Sequence, residues 1–245
     1  MDYKKLYNQV GKKIGWDFGR LKKKVSGVRW NFYEEVLKKC DKNTVLLDIG
    51  MGGGEKVLEL ADKVKLLVGI DHAEGMVKTA RKNLTKAGRK NVYFYHMEAR
   101  KVGFPDGFFD VIACRQSNFF PKEVYRLLKP GGWFLTQQVG EDDKENITKC
   151  FGRGISQNKE GTLMNRYGRA MKQVGFKNIK MKSYNATEWY AGADDIIYLL
   201  KHAPIVPNFG GKKEDMESLA KFIAENKEKK GIKTNSRRFM IVGRK

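Results

Sequence analysis

The sequence has few of the residues that would indicate a metal site, a disulfide framework or a membrane span. Its three cysteines and three histidines lie far apart, with no CxxC or HxxxH spacing, which disfavours a zinc site and a disulfide-stabilised fold. It has no run of about 18 apolar residues, and its first residues lack the apolar stretch of a secretory signal. We therefore expect no bound metal, no transmembrane segment and a cytoplasmic protein with reduced thiols.

Negative charge is also scarce. The 245 residues include 28 acidic residues against 49 lysines and arginines, which gives a net charge of +21. A positive potential of this size attracts anions such as nucleic acid, although a lysine-rich solvated surface would give the same number. With 41% hydrophobic residues and only 5 prolines, the composition is typical of a globular protein rather than a disordered one.

Short apolar runs alternate with helical patterns from residue 45 onward. The runs typical of buried strands cover 45–49, 66–71, 92–95, 109–114, 133–139 and about 177–184, and the helical patterns cover 54–61, 74–87, 121–128 and 161–173. Strands that alternate with helices predict a parallel, doubly wound α/β sheet.

Two flanking segments depart from this alternation. Residues 1–42 are basic and aromatic with some helical spacing, and they predict a helical N-terminal extension. Residues 186–233 predict an insertion ahead of a last strand at 234–245, able to fold over the ligand-binding edge of the sheet. With the core at 43–185, we expect one domain over 1–245.

A glycine-rich turn, Asp48–Gly54, follows the first predicted strand. Glycines there let the backbone turn sharply and let a ligand approach it closely. A dinucleotide fingerprint, G-x-G-x-x-G, would need a third glycine at position 55 or 57, where the chain has Glu55 and Val57. The pattern is instead D-x-G-x-G-x-G, and the carboxylate of Asp48 suits a ligand that carries an ammonium group rather than a pyrophosphate.

Two further acids follow the next two predicted strands. Asp71 closes the second strand, where a carboxylate can accept hydrogen bonds from both ribose hydroxyls. Glu98 follows the third strand, where it could accept from an adenine amino group. Either acid alone could be a solvated loop residue, but acids at consecutive strand ends, together with Asp48, indicate a nucleoside ligand with an ammonium group.

The same segments resemble class I S-adenosylmethionine-dependent methyltransferases, and most of all the UbiE-like branch. The resemblance covers about residues 43–140 and rests on the stretches 45–54 (VLLDIGMGGG), 68–71 with Met76, 104–112 (FPDGFFDVI) and 127–132 (LLKPGG). It implies a Rossmann-like sheet of seven strands with the last strand antiparallel. It also implies S-adenosylmethionine as cofactor, with its methionine part at Asp48 and the glycines, its ribose at Asp71 and its adenine at Glu98 and Ala99. The predicted cofactor-binding set is Asp48, Gly50, Met51, Gly52, Gly54, Asp71, His72, Met76, Glu98, Ala99 and Arg115.

The methyl acceptor is indicated less directly. Candidate catalytic residues are Glu188, Tyr190 and His202 in the predicted insertion, which could act as a base or orient the acceptor. The residues after the fourth strand, 115–118 (RQSN), lack the proline-containing tetrad of enzymes that methylate amino groups of nucleobases. Three hypotheses follow: a methyltransferase for an N or O atom of a small molecule, an RNA methyltransferase whose basic surface contacts phosphates, and a non-catalytic cofactor-binding domain.

Overall fold

The computed structural model describes residues 8–12, 18–154 and 159–245. The strands are β1 Lys23–Ser26, β2 Val45–Ile49, β3 Leu66–Asp71, β4 Val92–His96, β5 Phe109–Arg115, β6 Leu128–Val139, β7 Lys177–Tyr190, β8 Lys227–Glu228 and β9 Gly231–Arg244. The helices are α1 Phe32–Leu37, α2 Glu74–Ala87, α3 Pro121–Leu127, α4 Glu145–Phe151, α5 Thr162–Gln173, α6 Ala193–His202 and α7 Asp215–Asn226, with a 3₁₀ helix at Val57–Lys63. A short helical segment also covers 8–12. Within these ranges, every helix is too short or too polar to cross a lipid bilayer.

The strands form one mixed sheet in the order β1-β7-β9-β6-β5-β2-β3-β4, and β8 pairs with β9. Strands β4, β3, β2, β5 and β6 are parallel, whereas β9 is antiparallel to both of its neighbours, β6 and β7. The predicted Rossmann-like sheet with an antiparallel last strand is therefore confirmed. The described residues form nine strands rather than the predicted seven, because β1 and β8 pair with β7 and β9. The chain order reverses between β2 and β5, and ligands bind at such a reversal in open α/β sheets.

Helices cover both faces of the sheet because its central strands are apolar on both sides. The first core, on one face, includes Leu46, Leu67, Val77, Leu135, Tyr184 and Met240. The second core, on the other face, includes Leu47, Ile70, Ile112, Phe134, Met171 and Ile241. This arrangement is typical of parallel sheets, whose strands are buried on both faces.

A third core lies beyond the carboxyl end of the parallel strands. Val139, the last residue of β6, pairs with Arg238, which pairs with Tyr184 on β7. From there β7 and β9 continue as a two-stranded ribbon, 185–190 with 231–237, which we call the arm. β1 pairs with the end of the arm. Helices α4, α6 and α7 contribute to its apolar core, which includes Ile147, Tyr190, Ile196, Leu199, Phe222 and Ile232.

The arm changes the predicted boundaries of the insertion. β7 ends at Tyr190 rather than near 184, and β9 begins at Gly231 rather than 234. The segment between them is therefore 191–230 instead of 186–233. The ribbon alternates buried and more exposed residues, and its buried positions include polar side chains such as Glu188 and Thr234, so an apolar pattern does not reveal it.

Two local predictions were also wrong. The N-terminal extension is not all helical, because β1 occupies Lys23–Ser26 and is specified by its pairing with β7 rather than by its own exposed residues. The helix predicted from residue 54 is a 3₁₀ helix that begins at Val57. Gly52 and Gly54 have φ angles of 60° and 77°, which a right-handed helix does not allow.

Candidate functional site

The predicted cofactor residues meet at the carboxyl edge of the parallel strands, around the reversal between β2 and β5. Asp48 on β2 is in register with Ala113 on β5 and Gly69 on β3. Because side chains alternate along a strand, Arg115 and Asp71, two residues further along β5 and β3, lie on the same face as Asp48. This face carries the first core, and its upper edge forms the candidate site.

Asp48 is fully buried, and neither of its carboxylate oxygens has a hydrogen-bond partner among the described residues. Burial raises the pKa of the Asp48 carboxyl to about 7, against the opposing effects of the Tyr33 hydroxyl and the Arg115 guanidinium. A buried polar group without a partner is rare in folded proteins and needs an explanation. The arrangement fits a ligand that brings its own cationic hydrogen-bond donor to Asp48.

The glycine turn leaves its backbone open to close approach. A Cβ atom at Gly50 would lie 2.2 Å from the Ser117 side chain, and the φ angle of Gly50 is 77°. Met51 is buried, and its sulfur occupies the space above Gly69, where a Cβ atom would come within 2.4 Å of it. The turn is thus packed from below by Met51 and bounded by Ser117. No α-helix starts directly after it, so the described residues 51–56 do not form a row of helix N-terminal amides.

Asp71 holds the neighbouring turns together. Its carboxylate accepts hydrogen bonds from the backbone N–H of Gly52 at 3.1 Å and of Ala73 at 2.8 Å. Burial raises the pKa of Asp71, while these two N–H groups oppose the shift. The ring of His72 lies on the same side, with Nδ1 3.6 Å from the Asp71 carboxylate. One carboxylate therefore joins the glycine turn to the start of α2.

The other predicted cofactor residues surround this turn at different depths. Met76, on the first turn of α2, is buried, Glu98 is exposed and Ala99 is partly buried. Strand β4 brings Glu98 close because the backbone N–H of Met97 donates to the carbonyl of Asp71 at 3.1 Å. The structure thus places Glu98 one residue beyond a direct contact with Asp71.

Aromatic residues that the sequence analysis did not assign border the opposite side. The Arg115 guanidinium lies 5.7 Å from the centre of the Tyr33 ring. Trp30 donates from Nε1 to Gln137 Oε1 at 2.7 Å and packs against Tyr184 with ring centroids 4.5 Å apart. Trp30 and Tyr33 belong to the basic, aromatic N-terminal segment, but no spacing in that segment indicates which of its aromatic residues reach the sheet.

Glu188 forms the centre of a buried ionic cluster on the arm. It accepts hydrogen bonds from Lys144 Nζ at 2.6 Å, Lys23 Nζ at 2.8 Å and the Tyr190 hydroxyl at 2.7 Å. The side chains of Glu188 and Lys144 are 6% and 3% exposed. Although burial opposes it, the two lysines lower the pKa of Glu188 to about 2. A carboxylate held in this way is a poor proton acceptor near neutral pH, where a general base should titrate close to the working pH.

The structure brings two of the three predicted catalytic residues together. Tyr190 donates directly to Glu188, and burial together with that carboxylate raises the pKa of the Tyr190 hydroxyl. His202 lies at the end of α6, where its Nδ1 is 2.7 Å from the carbonyl of Tyr198 and its ring lies 4.2 Å from the Tyr198 ring. His202 therefore contacts α6 rather than the Glu188 cluster. Lys144 also belongs to that cluster, although the sequence analysis did not single it out.

The groups at this edge suit an organic ligand. In the part of the chain that the structure describes, no three His, Cys, Asp or Glu side chains lie close enough to hold a metal ion. The groups at the edge are one unpartnered carboxylate, an open glycine backbone and a second carboxylate bound to backbone N–H groups. Together they suit a ligand with a cationic end and hydroxyl groups.

Comparison with known proteins gives a consistent result for the core of the chain. Residues 46–132 match a family model described as a methyltransferase domain. The chain is 28% identical over 138 residues to the demethylmenaquinone methyltransferase of Listeria monocytogenes, over 51% of this chain and 58% of that protein. It is 35% identical over 103 residues to the uncharacterized methyltransferase YcgJ of Bacillus subtilis, over 39% of this chain and 41% of that protein. The chain thus spans about half the length of the curated relatives it matches.

The similarity of fold extends further than the similarity of sequence. The crystal structure of the Bacillus subtilis YcgJ protein aligns with a TM-score of 0.60 at 21% identity, covering 86% of this chain and 97% of that chain. The arm and the N-terminal segment lie outside the 46–132 match.

Proposed function

We propose that the chain is a class I S-adenosylmethionine-dependent methyltransferase, because residues 46–132 match a methyltransferase domain, and that it transfers a methyl group to a nitrogen or oxygen atom of a small molecule. The observation that carries the proposal is the buried Asp48 carboxylate, which has no hydrogen-bond partner at either oxygen within the described part of the chain and lies next to the open glycine turn. S-adenosylmethionine has an α-ammonium group, which is the kind of donor that this carboxylate lacks.

We assign each part of the cofactor to a group at the edge of the sheet. Asp48 and the glycine turn would bind the methionine part, Asp71 the ribose hydroxyls, and Glu98 with Ala99 the adenine. The sulfonium supplies an electrophilic methyl group, so the contribution of the protein is mainly to position the acceptor. Arg115, above Asp48 and beside Tyr33, would balance the cofactor carboxylate.

The acceptor would lie between the glycine turn and the arm. A small molecule is supported by the position of the arm beyond the carboxyl end of the parallel strands and by the name of the Listeria monocytogenes relative, which refers to demethylmenaquinone. We propose that Glu188 orients Lys144 and Tyr190 at the acceptor side, since its lowered pKa makes it a weak base. His202 stays a candidate for proton transfer.

The second candidate function, RNA methylation, is favoured by one feature of the arm. Trp189 is flanked in register by Lys24 on β1 and Lys233 on β9, and Lys230 Nζ lies 4.9 Å from the centre of its ring. Aromatic rings among lysines can stack bases and contact phosphates. If this candidate is correct, RNA affinity falls steeply between 50 and 200 mM salt, and Lys24→Gln and Lys233→Gln reduce that slope. A filter-binding titration with cell RNA measures both.

Cofactor binding is the first test of the proposed function. We expect wild-type protein to bind S-adenosylhomocysteine in calorimetry, and Asp71→Ala to weaken binding by about 100-fold or more, because it removes the ribose acceptor and leaves two N–H groups unpaired. Asp62→Ala is a suitable control, since Asp62 is exposed and pairs with Arg89 at the opposite edge. Equal affinity in all three proteins would refute the cofactor assignment.

Methyl transfer is the second test. Tritiated S-adenosylmethionine is incubated with the protein and either a metabolite extract or cell RNA, and the products are separated by size. Label in small molecules supports the proposed function, and label in RNA supports the second candidate. A protein that binds the cofactor tightly but labels neither fraction would be a non-catalytic cofactor-binding domain.

A further inference from the structure

The helical segment 8–12 packs directly against the first turn of α2, the turn that follows Asp71. Asn8 Oδ1 accepts a hydrogen bond from the backbone N–H of Gly75 at 3.1 Å, across 67 residues of sequence. The Thr79 hydroxyl donates to the carbonyl of Gly11 at 2.6 Å. Val10, between them, is 3% exposed. We call residues 8–12 the N-terminal clamp.

Glycine is required on both sides of this contact. A Cβ atom at Gly11 would lie 2.6 Å from the backbone nitrogen of Met76, and one at Gly75 would lie 2.4 Å from the carbonyl oxygen of Asn8. Distances below 3.0 Å to backbone atoms cannot be relieved by a rotamer change. The two backbones therefore approach as closely as they do only because neither residue has a side chain.

The clamp supplies the cap that α2 lacks. The residue before α2 is Ala73, which has no side-chain oxygen, and α2 has no side-chain cap of its own. The first backbone N–H groups of a helix have no partner within the helix. Ala73 N–H donates to the Asp71 carboxylate, and Gly75 N–H donates to the Asn8 carboxamide oxygen. These two side chains therefore provide acceptors for two backbone N–H groups at the start of α2.

We propose that the N-terminal clamp is part of the cofactor site, with Asn8, Gly11 and Thr79 as positioning residues. They hold the first turn of α2, and through Ala73 the Asp71 carboxylate, in the geometry that accepts the ribose. The proposal rests on the proposed function, because it assigns the ribose of S-adenosylmethionine to Asp71. It predicts that bound cofactor and docked clamp stabilise each other, since both need the same arrangement of residues 71–75.

The test measures the affinity and the dissociation rate of S-adenosylhomocysteine with the full chain. Asn8→Ala and Thr79→Ala each remove one hydrogen bond, and we expect each to weaken binding by about fivefold through faster dissociation, the size expected for the loss of one such bond. Gly11→Val should displace the clamp and weaken binding by at least about tenfold. Asn8→Asp keeps an acceptor oxygen and should restore the wild-type values.

Thr85→Ala is the matched control. Thr85 lies on the same helix and its hydroxyl also donates to a backbone carbonyl, that of Arg81, at 3.1 Å, but it does not touch the clamp. A purely structural role of threonine hydroxyls on α2 would affect Thr79→Ala and Thr85→Ala equally. If Thr79 positions the clamp as proposed, only Thr79→Ala weakens cofactor binding. The ligand-free Thr79→Ala protein then has a melting temperature close to that of Thr85→Ala.

The outcomes separate this inference from the proposed function. If wild-type protein binds S-adenosylhomocysteine and the clamp variants bind with unchanged affinity and dissociation rate, the clamp proposal is wrong and the proposed function stands. If wild-type protein does not bind it, both are wrong. Should Gly11→Val fail to fold, Asn8→Ala, Thr79→Ala and the wild-type affinity expected of Asn8→Asp decide between the outcomes.

Discussion

Asp48→Asn is expected to abolish binding of S-adenosylmethionine at micromolar concentrations, with a loss on the order of 100-fold or more. The substitution keeps the shape of the side chain and removes the charge that would pair with the cofactor ammonium. Asp48 is fully buried and both of its oxygens lack a partner among the described residues, so little else in the site could compensate. Isothermal titration calorimetry at pH 7.5 measures the effect.

The pH dependence of wild-type binding gives a second measurement on the same residue. Since the pKa of Asp48 is about 7 in the free protein, the carboxyl is partly protonated at neutral pH. Affinity should rise with pH between 5.5 and 7.5, by up to about tenfold per unit below the pKa, where an α-ammonium group, of ordinary pKa about 8, stays charged. In Asp48→Asn this dependence should disappear.

Folding stability should depend on pH in the opposite direction. The folded-state pKa of Asp48 lies above the ordinary value of 3.8, so its contribution to stability is complete below pH 3.8 and is lost as the pH rises through about 7. Each unit of this shift corresponds to about 1.4 kcal/mol. Ligand-free Asp48→Asn should therefore be more stable than wild type at pH 8, as measured by urea unfolding.

Asp110→Asn is the control for these experiments. Asp110 lies near the opposite end of the adjacent strand, where it accepts from Val45 N–H and Lys129 Nζ, both at 2.8 Å. It should lose stability without losing cofactor affinity. The assignment of the cofactor ammonium to Asp48 would be contradicted if Asp48→Asn bound the cofactor with an affinity within about threefold of wild type. A threefold change in affinity corresponds to about 0.6 kcal/mol of binding free energy.

The second large effect is expected from the ionic cluster on the arm. Lys144→Met should lower the free energy of unfolding by about 3–5 kcal/mol, because it leaves the buried Glu188 carboxylate short of one partner. It also removes the bond from Lys144 Nζ to the carbonyl of Asn235, at 2.8 Å. Equilibrium urea unfolding of the ligand-free protein measures the change.

A double substitution tests whether the stability lost in Lys144→Met comes from the unpaired Glu188 charge. Lys144→Met with Glu188→Leu removes both charges, and it should recover much of the stability lost in Lys144→Met, because apolar residues can replace a buried ion pair at little cost. Lys56→Met serves as the surface control, since Lys56 and Glu59 are each 63% exposed and an exposed pair contributes about 1 kcal/mol or less. Equal losses in Lys144→Met and Lys56→Met would show that the cluster does not stabilise the arm.

Acid unfolding should show the same cluster. The folded-state pKa of Glu188 is about 2, below the ordinary value of 4.5. Its contribution to stability is therefore complete above pH 4.5 and is lost as the pH falls towards 2. In Lys144→Met the pKa of Glu188 should rise, so that this part of the acid dependence becomes smaller.

Local sequence was sufficient for the core of the site. The turn Asp48–Gly54 and the acids Asp71 and Glu98 follow consecutive short apolar runs, and the carboxyl ends of parallel strands meet at one edge, so spacing along the chain predicted proximity in space. The same reasoning failed for the arm, because its strands are defined by pairing between 185–190 and 231–237 and their buried face contains polar residues.

The amino-acid sequence by itself determined the fold class, the position of the glycine turn and the position of Asp71 beside that turn. Each of these depends on residues within one strand and the turn that follows it. Only the tertiary structure decided the protonation of Asp48, the pairing of Glu188 with Lys144 and the docking of Asn8 on α2. Those three depend on burial and on partners 44 and 67 residues away. No periodicity along the chain records such contacts, since they form only when separate elements pack.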